Sequence, residues 1–86
     1  MRVAESIRAK LTQAFAPTRL VIEDESHRHH GHTGAREGGE SHFRVEIAAA
    51  AFAGLSRVAR QRMVYDVLAE ELKGPVHALA VKADPV

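Results

Sequence analysis

The chain has 86 residues, a formal charge of +1 from 12 basic and 11 acidic side chains, and no cysteine. That length makes one small domain, residues 1–86, with little room for a deep enclosed active site. A charge this close to neutral lacks the strongly basic signature of a dedicated nucleic-acid binder, although a local patch stays open. The missing thiols exclude a disulfide framework and any thiolate-rich metal site built by this chain alone.

Val3, Ile7, Leu11 and Phe15 recur every four residues, which predicts a helix over 2–15, and Pro17 stops it. Leu20-Val21-Ile22 marks a strand over 19–25. Residues 26–40 are polar and contain Gly31, Gly34, Gly38 and Gly39, so they read as a loop, long for a hairpin and therefore a functional candidate. In 42–48, Phe43, Val45 and Ile47 alternate with His42, Arg44 and Glu46, the pattern of a half-buried strand antiparallel to the first. An Ala-rich connector then leads to Ser56, a helix N-cap, and to a helix over 57–72 whose drifting apolar stripe implies a bend near Arg62. Gly74-Pro75 ends that helix, and residues 76–82 form a last strand. The order α-β-β-α(α)-β predicts an α+β fold: a three-stranded mixed sheet with helices on one face, its second and third strands free to run parallel because a helix-long crossover joins them.

Six histidines are the chemical signal, and four of them fall in His27-Arg28-His29-His30-Gly31-His32. Neutral imidazole ligates transition metals. The spacing does not match the separated pairs of a zinc finger, so the loop alone reads equally as a solvated tract. His77 precedes Leu79 and Val81 by two and four residues, which predicts a shared face and partial burial; its position alone leaves a structural role open. Asp24 and Glu25 are adjacent and face opposite sides of a strand, and neither Ser26-His27 nor Ser41-His42 has a third orienting group, so no catalytic set emerges. Arg57, Arg60 and Arg62 form a basic cluster near the start of the second helix, with Arg57 and Arg60 on one face and Arg62 off it. The N-terminal residues lead into an amphipathic pattern, and no stretch approaches the ~20 apolar residues of a membrane span, so a cytoplasmic protein is expected.

Taken in order, Val21-Ile22-Glu23-Asp24-Glu25-Ser26, the histidine-bearing loop, Glu40-Ser41-His42-Phe43, Phe52-Ala53-Gly54-Leu55, Arg60-Gln61-Arg62-Met63-Val64-Tyr65, Leu68-Ala69-Glu70-Glu71-Leu72 and Pro75-Val76-His77-Ala78-Leu79-Ala80 resemble the BolA family. The resemblance runs from the first helix to about residue 82. It implies a domain similar to the class II KH fold and a partnership with a monothiol glutaredoxin. In that family the complex can hold a [2Fe–2S] cluster: glutaredoxin and glutathione supply thiolates, and the BolA-like partner supplies the remaining ligands. His77 matches the family's C-terminal histidine, and His29 matches its loop ligand. The chain departs from the pattern in carrying His27 where tyrosine is common and in adding His30 and His32, which leaves the loop ligand less sharply defined than His77. No cofactor is expected in the isolated chain, which would be a monomer or weak homodimer. Two functions follow as expectations: a non-enzymatic adaptor in iron–sulfur trafficking or iron sensing, or a KH-like, DNA-binding transcriptional regulator using Arg57, Arg60 and Arg62.

Overall fold

The structure, a computed structural model, describes residues 3–25 and 42–86. Helix α1, Val3–Phe15, sinks Ile7 and Leu11 completely into the core and half-buries Val3 and Phe15 on the same stripe. It ends at Ala16, whose backbone is left-handed (φ 46°) and whose N–H bonds to the Thr12 carbonyl (3.0 Å); Pro17 then cannot continue it. Strand β1 is Arg19–Asp24 and β2 is His42–Ala48.

The two strands are antiparallel, with Leu20 opposite Ile47 and Ile22 opposite Val45. The alternation of the sequence decides the faces: Phe43, Val45 and Ile47 are buried while Arg44 is exposed. After β2 a 3₁₀ turn, Ala50–Phe52, drops the Phe52 ring into the core at 5.0 Å from Phe15. Gly54 takes a positive φ of 78°, which glycine adopts without strain, and turns the chain into helix α2, Arg57–Val67. Ser56 caps it as expected, its side chain accepting from the Ala59 N–H at 3.1 Å.

Two sequence expectations shift. The break in the second helical segment falls at Leu68, between α2 and helix α3 (Ala69–Lys73), rather than near Arg62. Val64 and Leu68 are both fully buried, and the chain turns at Leu68 (φ −99°, ψ 20°) to keep α3 against the domain. The last strand, β3, is Ala78–Asp84 rather than 76–82. Val76 is buried and donates its N–H to the Glu71 carbonyl (2.9 Å), so it belongs to the turn that closes α3, and pairing begins only where Ala78 lies opposite His42.

The sheet order is β1-β2-β3, with β2 central and parallel to β3. Its inward side chains, from Phe43 to Val81 and Ala83, close one core with Ile7, Leu11, Val64 and Leu68. The mixed three-stranded sheet and the α+β class agree with the element order deduced from sequence. Among the described residues no helix is long and apolar enough to cross a membrane.

Candidate metal-binding end of the sheet

His42 opens β2 and lies opposite Ala78 in the parallel ladder. That register brings the preceding residue, His77, beside it: the two imidazole centroids are 6.2 Å apart, with the rings tilted by 45°. His77 does not share the inward face of Leu79 and Val81, and it is exposed rather than partly buried. The reason is the displaced start of β3: Val76 takes the core position, and the chain bends at residue 77 before the ladder fixes alternation.

At the same end, the Glu25 N–H donates to the His42 carbonyl at 2.8 Å. The chain therefore leaves β1 and re-enters β2 next to His77. His29 lies between those points, outside the described residues. Sequence alone does not single out His42, because which residues meet across a parallel pair depends on a register set by a long crossover. Among the described residues no group of three or more His, Asp or Glu side chains is placed to hold a metal ion. Two imidazoles and no thiolate fit a partial ligand set, one that a thiolate-bearing partner would complete.

The turn that presents His77 is anchored from α1. Glu71 is buried; its carboxylate accepts from Ser6 Oγ (2.7 Å) and from Lys10 Nζ (2.9 and 3.0 Å). Burial pushes the Glu71 carboxyl up, but the bonds from Lys10 and Ser6 outweigh it and hold the group below its ordinary value. The same bond to Glu71 raises the Lys10 ammonium. The Glu71 backbone carbonyl accepts from Val76, one residue before His77. A side-chain contact from α1 thus reaches the turn before His77 through a single residue.

A second site lies at the start of α2. Arg57, Arg60 and Lys82 line a cleft of about 410 Å³ together with Ala83 and Asp84. The sequence groups Arg57, Arg60 and Arg62; the structure brings the first two together, leaves Arg62 exposed outside the cleft lining, and adds Lys82 from β3. Arg60 also holds the fold together. Its Nε donates to the Ala83 carbonyl (2.7 Å) and a terminal nitrogen to the Leu55 carbonyl (2.8 Å), stapling the start of α2 to β3. Lys82 is not legible from sequence, because a lone basic residue in a strand carries no local signal.

Comparison with known proteins agrees with this architecture. Residues 11–85 match the family model described as BolA-like protein. A Sinorhizobium sp protein named "Uncharacterized protein in cobS 5'region" is 52% identical over 83 residues, covering 95% of this chain and 89% of its own. "DNA-binding transcriptional regulator BolA" of Escherichia coli (strain K12) is 44% identical over 81 residues, covering 94% of this chain and 73% of that one. The solved structure of BolA1 from Arabidopsis thaliana superimposes with a TM-score of 0.88 at 39% identity, over 99% of this chain and 93% of that chain. The chain spans little more than half the length of the mammalian relatives named BolA-like protein 1, at 56% to 57%. With the family model matching most of its length and relatives this similar along nearly all of it, the chain belongs to the BolA family.

Proposed function

We propose that this protein is a non-enzymatic adaptor that pairs with a monothiol glutaredoxin to share a [2Fe–2S] cluster in iron–sulfur trafficking or iron sensing. The observation that carries the reading is the exposure of His77 at the end of the sheet where the His29-bearing segment begins and returns. A ligand meant for a cluster shared with another protein has to face that protein, and a buried histidine could not. His77 and, from the segment outside the described residues, His29 are the donors this chain would bring; a glutaredoxin and glutathione would bring the sulfur. When bound, the cluster supplies one-electron and transfer chemistry, and imidazole in place of thiolate removes negative charge and raises its potential. What the chain itself does is present the His77 nitrogen donor on the exposed bend just before β3, held from behind by the Val76–Glu71 backbone bond.

The test is reconstitution of the protein with a monothiol glutaredoxin, glutathione, iron and sulfide. The His77→Ala variant is expected to lose or alter the visible absorption of the shared cluster. An unchanged spectrum would remove His77 from the ligand set and the adaptor mechanism with it.

One observation favours a second reading, a DNA-binding regulator: the cleft that places Arg57 and Lys82 beside Arg60 concentrates positive charge that the near-neutral total conceals. The name of the Escherichia coli relative points the same way.

A further inference from the structure

We infer that His42 and His77 act as one two-nitrogen donor pair for a transition-metal ion, so that in the shared cluster, which takes four terminal ligands, His42 would stand in the place otherwise filled by His29. The inference rests on the adaptor reading for the shared cluster, but the pair's affinity for a simple divalent ion does not depend on that reading. Its basis is geometric. Zn–N bonds of about 2.0–2.1 Å put two coordinated imidazole centroids roughly 5 Å apart at a tetrahedral angle and about 6.5 Å apart when the nitrogens are opposed. The observed 6.2 Å lies inside that range.

The placement of the two residues supports the pairing. His42 is the first residue of the central strand, held on one side by Glu25, the residue after β1, through its carbonyl and by β3 on the other through its register with Ala78. His77 is fixed from behind by Val76, whose N–H is bonded to the Glu71 carbonyl. His42 sits on a strand end and His77 in the anchored bend one residue before another, and donors held in this way are better preorganised than donors on a free loop. His77 is exposed and His42 half-buried, so an ion bridging them would keep coordination positions open to an outside ligand. That is the arrangement a shared site needs, since two neutral nitrogens leave the remaining positions and all the charge compensation to the partner.

The chain has six histidines, so replacing His27, His29, His30 and His32 together with asparagine leaves only His42 and His77. In that variant, nickel or cobalt(II) chloride titrated into the isolated protein should bind at one equivalent and broaden both imidazole signals in the nitrogen-correlated NMR spectrum together. Adding His42→Ala or His77→Ala should each weaken the ion by about tenfold or more, and the two together should cost little beyond either alone, since a single remaining imidazole is no longer a chelate. His42→Gln, with far-UV circular dichroism, guards against misfolding: a folded His42→Gln variant must show the same loss. Binding that disappears with the four loop substitutions, or affinity unchanged within twofold by His42→Ala, overturns the pair. With glutaredoxin, glutathione, iron and sulfide, the wild-type complex should form a cluster whose visible circular dichroism changes in His42→Ala. If wild type forms no cluster, the adaptor reading fails while the nickel titration still decides the pair. If wild type forms one and His42→Ala leaves it unchanged, His42 is no cluster ligand and the inference fails while the adaptor reading stands.

Discussion

His77 shows where period-two reasoning stops working. Its two-residue spacing from Leu79 and four-residue spacing from Val81 imply a half-buried side chain on the inward face, yet the side chain is exposed. Alternation holds only inside a ladder, and here the ladder starts at Ala78 because Val76 is committed to the turn after α3. Behind that turn stands Glu71, a carboxylate held by Ser6 and Lys10. Its pKa lies below the ordinary 4.5, so the stability it contributes is present above about pH 4.5 and is lost as the pH falls through the depressed value. Lys10 is raised above 10.5, so its contribution is present below that pH and is lost only as the pH rises through the raised value. Thermal melts across pH should therefore show a Glu71→Gln variant losing stability relative to wild type throughout the neutral range, with the gap narrowing below about pH 4.5. A gap that is constant down to strongly acidic pH would mean the ionised carboxylate contributes nothing.

At the scale of elements, the edge of the sheet is the instructive feature. β3 is an edge strand, and an open edge invites pairing with other chains. Three side chains of α2 cover its carbonyls: Tyr65 Oη donates to Leu79 (3.0 Å), Gln61 Nε2 to Val81 (3.2 Å) and Arg60 Nε to Ala83 (2.7 Å). The acceptors are every second residue, as a strand's edge-facing groups must be. Tyr65→Phe removes one donor from a partly buried carbonyl and should cost about 1 kcal/mol in urea denaturation with an unchanged m-value. No measurable cost would mean that water satisfies the Leu79 carbonyl equally well. The elements themselves are legible from periodicity and punctuation: Pro17, Ser56 and Gly74 sit where helices end or begin. The split at Leu68 is not, because the apolar stripe of the second helix is weak at its start. Arg57, Val58 and Arg62 are all exposed there, and drift in a weak stripe locates a bend poorly.

For the molecule as a whole, the α+β class follows from element order, while the meeting of His42 with His77 and of Lys82 with Arg57 does not, since the first depends on the register of a parallel pair and the second on how α2 packs against β3. Net charge likewise hides a local basic cleft. If that cleft contacts DNA, Arg57→Ala and Lys82→Ala should each lower the slope of log affinity against log salt by about one, measured by anisotropy over a potassium chloride series. Arg62→Ala, outside the cleft lining, should change it less. Arg60→Ala is a poor probe, since it also cuts the staple to β3. Identical slopes for wild type, Arg57→Ala and Lys82→Ala would remove the cleft from nucleic-acid contact.

The most direct measurement is hyperfine spectroscopy on the reduced complex formed with a monothiol glutaredoxin, glutathione, iron and sulfide, using this protein labelled with ¹⁵N-histidine. If this chain supplies nitrogen donors, the cluster will show strong nitrogen couplings that change isotope with the label and lose a component in His77→Ala. A cluster spectrum free of couplings from the labelled histidines would contradict that role.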